Sequence, residues 1–442
     1  MTSLSLPQHS TMLDKSFVYG VATASFQIEG GSADRLPCIW DTFCDTKGKI
    51  ADNSNGHVAC DHYTHWREDI ALIDSLGVDA YRLSISWPRV ISQDGKLNPV
   101  GVKFYTDILD ELQHRDIKAY VTLYHWDLPQ HLEDNGGWLN RETAYAFEHY
   151  VDLITTAFGD KVHSYATLNE PFCSAYLGYE IGVHAPGIKG AKFGRQAAHH
   201  LLLAHGLGMK VLAKNSPNTL NGIVLNFTPC YSVSQSDADL KATAYADDYM
   251  NQWYMKPVMD GAYPDIINQL PIEVRPTILP GDMEIISQPL DFLGINFYTR
   301  LYYKASDTAP YEELAHQFPR TDIGWEIYPQ ALTDLLVTLN ETYTLPAVYI
   351  TENGAAMADK LENAKVNDQD RLDYYQQHLN AVHNAIEQGV RVHGYFAWSL
   401  MDNFEWAEGY LKRFGIVYVD YATQQRTIKK SGLAYRDLIS NR

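Results

Sequence analysis

Two glutamates stand at matching places in the chain. In Thr167-Leu168-Asn169-Glu170-Pro171 an apolar run leads into an Asn-Glu pair, and Pro closes it. Tyr349-Ile350-Thr351-Glu352-Asn353-Gly354 repeats the plan, with a Gly turn after the acid. Either motif alone reads as an ordinary loop glutamate. Two carboxyls delivered to equivalent ends of two strands are a stronger signal. Paired carboxyls are the equipment for cleaving a glycosidic bond, where one acid hands over a proton and its partner attacks the sugar or activates water.

The elements that must position them are short β-rich runs alternating with longer helical patterns. Strands are predicted at Phe17–Ala22, Ala80–Ile85, Lys118–Leu123, Ser164–Leu168, Gly222–Asn226, Phe292–Asn296, Val348–Thr351 and Gly394–Trp398. Between them apolar residues recur at spacings of three and four. Examples are Trp66 to Ile73 ahead of Gly77, Tyr145 to Phe158 ahead of Gly159, and Leu372 to Ile386 ahead of Gly389, each with glycine as the stop signal. Eight alternating pairs predict parallel β/α units closed into a (β/α)₈ barrel. The competing doubly wound sheet lacks its phosphate-binding signature, since no GxGxxG or GxxxxGK[ST] follows a strand. Polar and aromatic residues recur just beyond the strands: His125 and Trp126, Asn169 and Glu170, Asn226, Asn296 and Tyr298, Glu352 and Asn353, and Trp398. In such a barrel that face carries the active site.

Composition bounds the rest. The 442 residues are 45% hydrophobic and 20% charged, an ordinary globular mixture that can bury a large core. With no low-complexity linker or repeat, residues 1–442 read as one catalytic domain. A net charge of −19 argues against nucleic acid and anionic membranes as partners, because phosphates need cations. No run approaches the length of a membrane span, and the N-terminus lacks a basic segment followed by an apolar one. The five cysteines are an odd number in a chain too large to need staples, so they read as thiols of a cytoplasmic protein. Cys60-Asp61-His62 with His65 is not completed by a CxxC or HxxxH pair, and no metal is expected. The 9 Trp suit a sugar site, where a pyranose face packs on an indole.

The ordered motifs resemble those of family-1 glycoside hydrolases of the β-glucosidase type over nearly the whole chain. Besides the two glutamate motifs they are Phe17 to Gly31 (FVYGVATASFQIEGG), Tyr81 to Arg89 (YRLSISWPR), His125-Trp126-Asp127, and Trp398 to Trp406 (WSLMDNFEW). The resemblance implies a (β/α)₈ barrel, retention of configuration, Glu352 as nucleophile and Glu170 as acid/base. It implies that Arg82 and Tyr298 support the nucleophile. It implies that Gln27, His125, Asn169 and Glu405 bind sugar hydroxyls, that Trp398 underlies the ring, and that Trp406 offers an indole N–H. Asn296 and Trp126 are expected beside them, and Trp325 in the next subsite, with His184 near the entrance. Phe172 departs from the family pattern, which has Trp after the NEP. Glu405 replaces the serine of 6-phospho-glycosidases, so the expected substrate is an unphosphorylated β-glucoside such as cellobiose, with galactosides and fucosides also taken. No cofactor is expected. A transglycosidase using the same residues and an inactive sugar-binding relative are the alternatives, and either a monomer or a homo-oligomer fits.

Overall fold

The structure, a computed structural model, describes residues 3–315 and 319–442. Its centre is a closed barrel of eight parallel strands in chain order: β1 Val18–Ala22, β2 Ala80–Ser84, β3 Lys118–Tyr124, β4 Ser164–Asn169, β5 Leu220–Phe227, β6 Phe292–Phe297, β7 Ala347–Asn353 and β8 Val392–Trp398. Val18 to Ala22 pairs with Gly394 to Trp398, which closes the ring. One principal helix follows each strand: α1 His62–Ser75, α2 Pro99–His114, α3 Glu142–Phe158, α4 Ala191–Asn215, α5 Asp237–Asp247, α6 Gln330–Thr342, α7 Gln369–Glu387 and α8 Lys430–Ser440. All eight predicted strands are present, shifted by a residue or two at their ends. The helices begin up to a turn before their first apolar residue. Small antiparallel additions, such as Val417–Val419 with Arg426–Ile428 and Leu301–Lys304 with Glu312–Leu314, were not predicted; they are too short for a period-two pattern to show.

The strands are buried on both faces, so they read as near-continuous apolar runs. At the floor of the barrel Tyr120 lies 4.9 Å from Phe396 and 5.8 Å from Tyr349, ring to ring. Glycines make the room. A Cβ on Gly20 would come within 2.3 Å of the Phe396 ring, and one on Gly394 within 2.8 Å of Tyr349. This packed floor leaves the upper end of the barrel as the place where polar groups collect.

Both glutamate strands carry one extra residue just before the acid. On β4, Ala166 to Asn169 spans three steps while β5 takes two, from Gly222 to Val224. On β7, Ile350 to Glu352 spans two steps while β6 takes one, from Ile295 to Asn296. Such bulges bend a strand and re-aim a side chain. Here they turn both carboxyls toward the barrel axis.

Candidate active site

Glu352, at the end of β7, is 3% exposed. Arg82 Nη1, rising from β2, donates to its Oε1 at 2.6 Å, and the Tyr298 hydroxyl donates to Oε2 at 2.6 Å. Burial holds the Glu352 carboxyl above its usual range, and the Arg82 cation and the Tyr298 and Arg82 hydrogen bonds offset part of that rise. A buried ion pair of this kind holds only while both partners remain, because either one alone is an uncompensated charge.

Glu170 follows β4 with a positive φ of 46°, as do Trp126 (80°) and Trp406 (48°) at the same barrel end. Left-handed backbone at bulky residues costs energy and collects where geometry serves function. Asn296 Nδ2 donates to Glu170 Oε1 at 2.6 Å, and the Cys173 thiol to Oε2 at 3.0 Å. Burial and the neighbouring Glu352 charge raise Glu170 to about 7. Asn296 also stands opposite Glu352 in the β6–β7 ladder and helps pull that carboxyl down. One amide therefore stands between the two acids, and their titrations belong to the pair.

Asn169 is fixed on every side. Its Oδ1 accepts from Arg82 Nη2 (2.7 Å) and Asn296 Nδ2 (3.1 Å), and its carbonyl accepts from the Trp126 indole (2.8 Å). Its Nδ2 donates to His125 Nε2 at 3.0 Å. His125 is held neutral by burial and by Arg82, its pKa lowered well below the usual range. With Nε2 accepting, the ring proton sits on Nδ1, which is buried and has no partner among the described residues. Gln27 Nε2 donates to Asn403 Oδ1 (3.0 Å) and the Phe404 carbonyl (2.8 Å). Its Oε1 is also buried without a partner among the described residues. A donor and an acceptor left in this state fit a guest carrying hydroxyls.

Aromatic rings wall the same space. The His125 ring lies between Trp398 and Trp406, 5.9 Å from each and within 17° and 19° of their planes. Glu405 lies half-buried beside Gln27. Burial, then the Glu352 and Glu170 charges, push its carboxyl up to about 8. Farther out, half-buried Trp325 packs on Tyr298 at 5.3 Å. Phe172, in place of the expected Trp, stacks on Tyr176 at 5.0 Å. His184 packs against Trp40 and Trp126, at 5.2 and 5.7 Å.

The predicted residues Gln27, Arg82, His125, Asn169, Glu170, Tyr298, Glu352, Trp398, Glu405 and Trp406 thus converge on one mouth. Trp126 and Asn296 stand beside them: the Trp126 indole donates to the Asn169 carbonyl, and Asn296 Nδ2 donates to Asn169 and Glu170. The sequence reading missed Cys173; its signal was a position three residues after Glu170, on the turn that follows the strand. It also missed the buried ion network behind Glu405. Asp402 pairs with Lys429 and Arg413 (2.6 Å each), Lys429 with Asp359 (2.5 Å), and Arg371 with Asp359 and Asp368 (2.7 and 2.6 Å). These partners tie the loops after β7 and β8 to the last helix. Cys60 and His62 are engaged by groups outside their cluster: Cys60 donates to the Asp402 carbonyl, and His62 pairs with Asp69.

A family model described as glycosyl hydrolase family 1 matches residues 9–442. A β-glucosidase of an Agrobacterium species is 47% identical over 434 residues, covering 96% of this chain and 94% of that one. A bifunctional β-D-glucosidase/β-D-fucosidase of Bifidobacterium breve is 44% identical over 457 residues, covering 97% and 98%. A solved Thermotoga maritima family 1 glycoside hydrolase, complexed with a cyclophellitol analogue transition state mimic, superposes with a TM-score of 0.94 at 42% identity, covering 100% of this chain and 98% of that one.

Proposed function

Because the chain belongs to glycosyl hydrolase family 1, we propose that Glu352 attacks the anomeric carbon of a β-glucoside while Glu170 protonates the departing oxygen. The protein is a retaining β-glucosidase. The observation that supports this division of labour is the contrast between the two carboxyls. Glu352 is clasped by a guanidinium and a phenol, and Glu170 is buried beside it and raised to about 7. One is kept charged to act as a nucleophile, and the other keeps its proton at working pH.

In the first step Glu352 bonds to the sugar carbon and the aglycone leaves with the Glu170 proton. In the second, Glu170, now charged, takes a proton from water, which displaces Glu352 and regenerates the β-anomer. Asn169, braced by Arg82 and Asn296, is placed to meet the 2-hydroxyl, where contacts tighten in the transition state. Gln27 and Glu405 take adjacent hydroxyls, His125 donates from Nδ1, Trp398 underlies the ring, and Trp325 borders the leaving group. Proton NMR of early turnover tests the outcome: β-glucose is expected before mutarotation, and α-glucose first would refute double displacement.

The pH profile follows from the signs. Activity needs Glu352 charged and Glu170 protonated, so it falls toward acid as Glu352 gains a proton and toward alkali as Glu170 loses one near 7. The Cys173 thiol donates to the charged form of Glu170 and holds its pKa down. Cys173→Ala is therefore expected to move the alkaline limb upward. A net hydrogen bond of about 1 kcal/mol corresponds to about 0.7 pH unit. An unmoved limb in the kcat/KM profile would deny the thiol that role.

We assign the substrate as an unphosphorylated glucoside, with cellobiose as the natural example and β-fucosides and β-galactosides as further substrates. A phosphate dianion would enter beside carboxyls whose charged forms repel it, and the Arg82 cation is already paired to Glu352. A penalty of several kcal/mol predicts at least about a hundredfold lower kcat/KM for an aryl 6-phospho-β-glucoside than for its parent. Equal rates would refute this reading. A role in cellulose breakdown and a cytoplasmic setting complete the proposal. Five unpaired cysteines are consistent with that setting, and among the described residues no helix is long and apolar enough to cross a membrane.

A further inference from the structure

Far from the barrel mouth, the first residues of the chain run along α7. Leu4 and Met12 are buried. Gln376 grips the backbone of Ser5 through both its amide atoms, at 2.8 and 2.7 Å. Two helical turns farther on, α7 presents His383 and, four residues later, Glu387, on the face that the arm crosses. His9 comes down over them. Its Nε2 lies 3.8 Å from Glu387 Oε2, and its ring is 5.4 Å from that of His383. One ligand-capable atom of each of the three residues lies within 4.8 Å of the others.

His383 is the unusual member. It is 6% exposed, its Nδ1 is sealed from solvent, and it makes no hydrogen bond to any described residue. The other buried histidines of the helices do make them: His62 with Asp69, His199 with Asp282, His200 with the Trp138 carbonyl, His205 with Thr167, and His378 with the Tyr374 carbonyl. A buried imidazole without a partner calls for an explanation. Beside it stand a second imidazole and a carboxylate, both on exposed side chains that can swing inward.

We propose that His9, His383 and Glu387 form a zinc-binding site that clamps the N-terminal arm to α7. Two imidazoles and one carboxylate are a donor set that zinc accepts, with solvent as the fourth ligand. A helical spacing of four places two ligands on one face, as in other helix-borne metal sites. Zn–N and Zn–O bonds of about 2.0–2.2 Å require the three atoms to draw together from their present spread. His383 is the fixed anchor, and His9 and Glu387 have the freedom to close. The bound ion then joins the N-terminal arm to α7, and by linkage it stabilises the folded state.

The test is titration of untagged protein with zinc chloride, comparing the parent with His9→Ala and Glu387→Ala. Both side chains are exposed and remote from the acids, so both variants are expected to fold and hydrolyse aryl glucoside normally without zinc. The parent should bind one zinc per chain, with its thermal midpoint rising as zinc is added. Each substitution should weaken binding at least about tenfold, since even an outer-shell partner is worth that much, and should abolish the thermal shift. Zinc-edge diffraction from a soaked crystal should place the ion between the three side chains. If the parent takes up no stoichiometric zinc, or if parent and variants bind alike, the proposal is overturned.

Discussion

Glu352→Gly is expected to abolish hydrolysis of every β-glucoside, by a factor on the order of 10⁵–10⁶ in kcat, the scale seen when a covalent nucleophile is removed. The second half of the prediction is more specific. Removing the side chain leaves a hole lined by Arg82 Nη1 and the Tyr298 hydroxyl, the two donors that now hold the carboxylate at 2.6 Å each. A small anion fits that hole. Azide should therefore restore turnover of aryl glucosides by attacking the sugar from the side Glu352 used. With only one displacement, the product is the α-glucosyl azide, which carbon NMR identifies. No rescue, or a β-azide, would mean that Glu352 is not the attacking group.

Glu170→Ala is expected to divide substrates by their leaving groups. Cellobiose, whose departing hydroxyl must be protonated, should lose about 10²–10⁴ in kcat/KM, the usual worth of a positioned acid. A dinitrophenyl glucoside needs almost no protonation, so its first step should stay close to the parent rate. The second step then lacks its base, and glycosyl-enzyme should accumulate as a burst. Azide needs no deprotonation and should relieve that block, here giving the β-azide after two displacements. The opposite anomers from the two variants separate attacker from proton donor in one product analysis. The alkaline limb near 7, which Glu170 sets, should vanish as well. Intact cellobiose hydrolysis in this variant would remove Glu170 from the mechanism.

What the sequence revealed and what it hid have physical reasons. The strands were readable because a strand buried on both faces is a short apolar run between punctuating residues, and each acid announced itself by breaking such a run. Their orientation was not readable. It depends on one inserted residue in each of β4 and β7, and an insertion of one shows only against the neighbouring strand. The same limit applies to Asn296. Its motif placed it near the sugar; its station between the two acids shows only in the ladder and its hydrogen bonds. Cys173 was hidden because a thiol near a glutamate has no sequence pattern of its own. The network around Asp402 and Lys429 was hidden because its members come from four separate stretches. His9 and His383, far apart in the chain, illustrate the same blindness to long-range contact.

The central claim is a covalent bond between the sugar and Glu352, and a slow substrate tests it most directly. A 2-deoxy-2-fluoro-β-glucoside with a good leaving group forms the first bond but resists the second step, because the fluorine destabilises its cation-like transition state. Peptide mapping by mass spectrometry after this treatment should find one fluoroglucosyl group per chain, on the peptide holding Tyr349-Ile350-Thr351-Glu352-Asn353, with fragment ions assigning it to Glu352. A label on Glu170 or elsewhere, or an active protein that turns over aryl glucosides yet never acquires one, would contradict the account.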